Sequence, residues 1–194
     1  MELSTARIYL LGGSSSVGKT TLANDIAAQL NIAVLHVDEF VHASDDPALR
    51  AACSRLDVEK MSPSSLCHVL IAKGNALTPL LDRLIESRLE ERWQGIIEGE
   101  GIQPELALEW AHDHRVRCVF VIEENEERLL ETLRYRPTAN GEPRDMSSGI
   151  PAKAAHMDAL YGRWLHQEAS RYELRWVTSQ PFETLPTRFL AAVS

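Results

Sequence analysis

The chain is poor in cysteine, in aromatic residues and in long apolar runs. Its three cysteines, Cys53, Cys67 and Cys118, are odd in number and far apart. That excludes a disulfide framework or a zinc knuckle as the basis of the fold and predicts reduced thiols. No apolar run approaches the roughly 18 residues that a membrane helix needs, so no membrane partner is expected. The first residues, Met1-Glu2-Leu3-Ser4-Thr5, have neither the basic nor the apolar part of a secretory leader, and a cytoplasmic location is expected. Positive charge is also scarce. Twenty Lys and Arg stand against 28 Asp and Glu, a net charge of −8. A polyanionic nucleic acid is a poor partner for such a chain. An anionic ligand must be held by a local concentration of positive groups, so the positions of the arginines become informative.

What is present is an alternation. Five apolar or β-rich runs, at 7–11, 34–37, 95–98, 116–122 and 175–178, are separated by helical patterns at 19–30, 63–71, 78–93, 104–112, 124–135, 152–172 and 183–192. Such an order predicts an α/β fold, a parallel sheet with helices on both faces. The 194 residues suffice for one such domain over 1–194 and are too few for two, and a monomer or homodimer is expected. Asn31 is a candidate C-terminal cap for the first helix. Glu124 and Arg128 are spaced for an i,i+4 ion pair on the fifth helical segment. Pro137 predicts that this helix ends at Arg136.

Residues 13–20 read Gly13-Ser14-Ser15-Ser16-Val17-Gly18-Lys19-Thr20, the pattern Gly-x-x-x-x-Gly-Lys-Ser/Thr. The run follows a predicted strand and opens a predicted helix, the context that gives the pattern meaning. A nucleoside triphosphate brings three or four negative charges that are costly to bury without donors. Gly13 and Gly18 let the backbone turn its N–H groups inward. The following helix adds unpaired N–H groups and the positive end of its dipole. Lys19 supplies a full charge to the β- and γ-phosphates, and the Thr20 hydroxyl is a candidate Mg²⁺ ligand. Thr21 is a further candidate donor. ATP with Mg²⁺ is therefore the expected cofactor pair; no Asn-Lys-x-Asp guanine signature occurs.

Ligands of an open parallel sheet bind beyond the carboxyl ends of its strands. Asp38 follows the second predicted strand and Glu98 ends the third. Asp38 is the candidate base on the acceptor side, and Glu98 the candidate for the Mg²⁺–water shell. The glycines around Glu100 are expected to let backbone approach a ligand closely. Arg134, Arg136 and Arg144 lie in or beside a polar, glycine- and proline-rich segment, which predicts a lid-like loop at about 134–150 that closes on phosphate oxygens. The stretch from Val41 to Pro47, with Arg50 and Arg55 after it, could line an acceptor pocket. Thr178-Ser179-Gln180-Pro181 is a candidate neighbour of the nucleotide base. His112-x-His114 has no acids at ligand spacing and reads as a solvated feature.

Taken together, Gly12–Ala23, His36-Val37-Asp38-Glu39-Phe40 and Ile96-Ile97-Glu98-Gly99 resemble the P-loop small-molecule kinases. The likeness is to the group containing 2-phosphoglycerate kinase, chloramphenicol phosphotransferase-like and zeta-toxin-like enzymes. The segment 133–144 is similar to the lid of such kinases. The resemblance implies a three-layer P-loop NTPase fold with strand order 2-3-1-4-5, and an ATP-dependent transfer to a small-molecule hydroxyl or phosphorylated acceptor. The alternative is a nucleotide-dependent switch without an acceptor. Glu98-Gly99-Glu100-Gly101 stands where 2-phosphoglycerate kinase-like sequences often have a glutamate–glycine–valine–histidine type run, so the resemblance does not assign that acceptor.

Overall fold

A computed structural model describes residues 7–43, 58–136 and 141–194. Arg50, Arg55, Cys53 and the middle of the arginine segment, 137–140, lie outside the described residues. The sheet is five-stranded, all parallel, in the order β2-β3-β1-β4-β5, as the resemblance implied. Its strands are β1 (Ile8–Gly13), β2 (Ala33–His36), β3 (Gly95–Glu98), β4 (Val116–Ile122) and β5 (Arg175–Thr178). The helices are α1 (Lys19–Leu30), α2 (Val37–Ala43), α3 (Pro63–Glu90), α4 (Pro104–Trp110), α5 (Glu126–Tyr135), α6 (Ile150–Arg171) and α7 (Leu185–Val193).

β1 is buried at every position. Its side chains alternate between two cores, as the pleat requires. Ile8 and Leu10 face one, with Leu66, Leu77, Phe120 and Tyr161. Tyr9 and Leu11 face the other, with Leu22, Ile26, Val121 and Phe189. Burial on both faces explains why the strand reads as a continuous apolar run.

Two local expectations fail for physical reasons. The segments 63–71 and 78–93, read as separate helices, are one helix, α3, which runs through Gly74 and has Pro79 inside it. Pro79 withholds one N–H and costs roughly 3 kcal/mol in a helix interior. Leu66, Leu70, Leu77, Leu81, Leu84, Ile85 and Leu89 lie on one buried stripe of α3. Each contributes roughly 1.5–3 kcal/mol on burial, so continuity wins. Gly74 sits under Gln103, where a Cβ would lie 2.0 Å from the amide carbon. Glu124 and Arg128 do not pair, because Asn125 caps α5 by accepting from Arg128 N at 3.0 Å and leaves Glu124 outside the helix. Glu124 meets His166 Nδ1 at 2.5 Å, and Arg128 lies 3.7 Å from Glu123. Other boundaries hold: Asn31 takes the left-handed cap with φ 53°, and α5 stops at Arg136. Cys67 and Cys118 are free thiols, and His112 and His114 are exposed. Among the described residues no helix is long and apolar enough to cross a membrane.

α6 crosses the carboxyl edge of the sheet closely at Gly162, where an added Cβ would stand 2.2 Å from the Glu123 carbonyl oxygen. On propensity alone, Gly162→Ala would stabilise a helix by about 1 kcal/mol. The obstruction here is backbone and cannot rotate away. The substitution is expected to lower unfolding stability by about 1–3 kcal/mol in urea titration, reversing the propensity sign.

Candidate functional site

The loop between β1 and α1 is built by backbone conformations that few side chains accept. Gly13 has φ +146°, Ser16 has φ +64°, and Gly18, at φ +90°, caps α1 in the left-handed region. A Cβ on Gly13 would sit 2.5 Å from the Val121 carbonyl oxygen, so the loop lies tightly over β4. Lys19 is buried and its ammonium donates to the Ser14 carbonyl at 2.7 Å, folding back across the loop. The Ser14 hydroxyl oxygen is buried and has no partner among the described residues. A closed turn of main-chain amides around one ammonium group, with a spare hydroxyl, fits an anionic phosphate chain.

Glu98 ends β3 and is buried beside this loop. Its Oε1 accepts from the Thr20 hydroxyl at 2.9 Å and lies 2.7 Å from His36 Nδ1. Thr20 and Glu98 thus meet, and hard oxygen donors of this kind are the ones that suit Mg²⁺. His36 was missed. Its signal is register, because His36 is the direct neighbour of Glu98 across the β2–β3 pair. The strand assignment alone does not supply that pairing.

A cavity of about 610 Å³ opens on the loop. Ser15, Ser16, Gly18, Lys19, Thr20 and Thr21 line one side, and Asp38, Glu98 and Glu100 another. Asp38 lies in the first turn of α2, with its carboxylate largely exposed and 3.7 Å from Lys73 Nζ. Arg136 lines the cavity and its guanidinium reaches Ser16 Oγ at 3.5 Å. Arg144 Nε donates to the Arg136 carbonyl at 2.9 Å, so these two predicted arginines come together. Arg134 is exposed on α5 and does not line the cavity. Of the glycines flanking Glu100, Gly99 lines the cavity, and both also make room for protein side chains. A Cβ on Gly99 would lie 2.7 Å from Val37, and one on Gly101 2.6 Å from Leu77.

After β5, Phe182 stands against Gly18 and lines the cavity with Leu185 and Pro186. A second cavity of about 700 Å³ continues from it along Tyr135, Gln180 and Pro181. Of the turn singled out in the sequence, Gln180 and Pro181 line this second cavity, while the contact with the loop is made by the next residue. Its aromatic neighbour, Phe182, was not anticipated.

Asp158 on α6 was also missed. It is 1% exposed, and its Oδ1 has no hydrogen-bond partner among the described residues. Burial holds its carboxyl well above the ordinary range, and the charge of Glu100 pushes the same way. Lys19, Arg136 and Arg144 pull against that shift without overcoming it. In sequence Asp158 is one polar residue on an amphipathic helix, and nothing local marks it.

No family model matches the chain, and no curated protein matches it. Solved structures do. A gluconokinase from Sinorhizobium meliloti 1021 is similar over 98% of this chain and 93% of its own, with a TM-score of 0.52 at 15% identity. A sugar kinase from Janibacter sp. HTCC2649 is similar over 97% and 94%, with a TM-score of 0.51 at 16% identity. At these identities the likeness is one of fold, and it covers nearly the whole of each chain.

The raised carboxyl of Asp158 sets a pH dependence. Its folded form holds a proton that the unfolded chain has released above about pH 4. Stability therefore falls as pH rises from there through the folded value. Asp158→Asn does not titrate. Denaturant unfolding is expected to show the variant as stable as the parent near pH 3.5 and more stable at pH 7, the gap widening with pH.

Proposed function

We propose that this chain is an ATP-dependent phosphotransferase that moves the γ-phosphoryl group to a hydroxyl of a small molecule. The observation that carries the reading is the junction of the Lys19 loop with the Thr20–Glu98 contact at the mouth of a cavity with room for a second substrate. The fold shared with a gluconokinase and a sugar kinase supports it.

The loop amides from Ser14 to Thr20 and the Lys19 ammonium bind the phosphates. Thr20 and Glu98 are the residues that would hold Mg²⁺, Glu98 through water. A bound magnesium ion would neutralise charge on the β- and γ-oxygens. Tyr135 and Phe182 flank the space for the base. Asp38 takes the proton of the acceptor hydroxyl as that oxygen bonds to the γ-phosphorus. The bond to the β–γ bridging oxygen breaks, and ADP leaves with the electron pair. Arg136 and Arg144 supply charge over the loop and exclude water, which competes as acceptor.

Loss of one preorganised cationic donor typically costs roughly 100- to 1000-fold in rate. Lys19→Ala is expected to lose acceptor-dependent ADP release on that scale while its circular dichroism and melting remain those of a folded protein. Normal turnover by this variant would remove Lys19 from the mechanism. Steady ADP release without any acceptor would favour a switch instead.

A further inference from the structure

Behind the second cavity stands a bracket that the proposed transfer does not use. Arg188, on α7, directs its whole guanidinium group at one turn, 178–184. Its Nε donates to the Thr184 hydroxyl at 3.2 Å. One terminal nitrogen donates to the Thr178 carbonyl and, at 2.9 Å, to the Thr178 hydroxyl. The other donates to the Pro181 carbonyl at 3.0 Å. Two hydroxyls cross-link the turn from within. Thr178 donates to the Gln180 carbonyl at 2.9 Å, and Thr184 to the Pro181 carbonyl at 3.2 Å. From the sheet side, the Ser179 hydroxyl donates to buried Glu123 at 2.7 Å, and the Ser179 amide to the Ile122 carbonyl at 2.9 Å.

The turn held in this way carries Phe182. That ring is 39% exposed, and Tyr135, on α5, is 78% exposed. Both residues line both cavities. Phe182 also leans on the phosphate loop, since a Cβ on Gly18 would lie 3.1 Å from its ring. Neither ring packs on another aromatic ring among the described residues. Holding a half-exposed ring still costs conformational entropy and returns little from burial. The cost is offset when a flat ligand stacks on it, because the ring is then already in place.

We propose that Arg188 is a positioning residue for nucleotide recognition, acting through Phe182, whose ring it holds where the base of the nucleotide stacks. This rests on the phosphotransferase reading and adds to it a residue outside the phosphate machinery. Arg188 lines neither cavity, and all three nitrogens of its guanidinium are engaged by the turn. Its charge is therefore not aimed at a phosphate. The planar fork of donors spans acceptors on Thr178, Pro181 and Thr184 at once, which no other side chain can do.

Two ligands separate this role from a purely structural or charge effect. ADP–Mg²⁺ carries the base, and tripolyphosphate–Mg²⁺ enters the Lys19 loop without one. Both affinities are measured by calorimetry on the parent, Arg188→Met, Phe182→Ala and the double variant, each checked for folding by circular dichroism. Arg188→Met is expected to weaken ADP about tenfold and to leave tripolyphosphate within about twofold of the parent. Phe182→Ala should match it. The double variant should lose no more than Phe182→Ala alone, because both changes act on one ring. A lost charge would weaken the more highly charged tripolyphosphate at least as much as ADP. Equal weakening of the two ligands therefore overturns the proposal, as does an unchanged ADP affinity or an additive loss in the double variant. If Arg188→Met does not fold, Thr178→Val replaces it, being near-isosteric and lacking two of the bonds. It is expected to weaken ADP alone by about threefold, and parental ADP affinity in that variant overturns the proposal. Failure of the parent protein to bind ADP would instead remove the phosphotransferase reading beneath it.

Discussion

The charged groups of the candidate site are arranged around the carboxyl end of β1. That strand is paired on both edges, by β3 and β4, and covered on both faces. Its amides and carbonyls are spent in the ladder, so only its end can meet a ligand. Three acids from three elements are then gathered there. Glu123, after β4, is fully used. Its Oε1 accepts from the Glu124 and Asn125 amides at 3.1 and 3.0 Å, and its Oε2 from the Ser179 hydroxyl at 2.7 Å. It braces the starts of two loops. Glu98 is held by Thr20 and His36 through one oxygen, Oε1. Asp158, from α6, is held by nothing on one oxygen. The three acids form a series from fully engaged brace to a buried carboxyl with one unpartnered oxygen, and hydrogen-bond satisfaction is what separates them.

The parts of the site written in consecutive residues were legible in the sequence. The loop from Gly13 to Thr20 needs particular backbone angles, one ammonium and one hydroxyl, and residue types at fixed spacing report them directly. The strands β3, β4 and β5 were legible as well, because their apolar runs are bounded by turns. What was not legible depends on distant surfaces. The continuity of α3 through Pro79 comes from its buried stripe, and the weight of that stripe is set by the elements packed on it. The His36–Glu98 pair follows from strand register. The burial of Asp158 follows from Gly162, which lets α6 lie against the Glu123 carbonyl. The arginine segment was half legible. Its composition named Arg136 and Arg144, but only the direction of the last turn of α5 distinguishes Arg136, over the loop, from Arg134, in solvent.

Asp158 also bears on the relation between stability and function. A buried carboxyl held protonated by its surroundings lowers the stability of the folded chain at neutral pH. Chains readily gain stability by losing such groups, and those that persist are commonly tied to a ligand. Glu100 sharpens the point, because its charge pushes the Asp158 carboxyl further up.

Buried acids select more strongly than exposed ones would. An exposed carboxylate keeps its water when the wrong molecule binds, so little is lost by the mismatch. A carboxylate already stripped of water has no such recourse. An acceptor without donors leaves it unpaired, and an anionic one adds repulsion in a region of low dielectric, where charges act strongly. Discrimination of this kind comes mainly from what the site refuses. The cavity sets both kinds of charge side by side. Lys19 and Arg136 line it with Asp25, Asp38, Glu98 and Glu100, so positive charge is concentrated there within a chain of net charge −8.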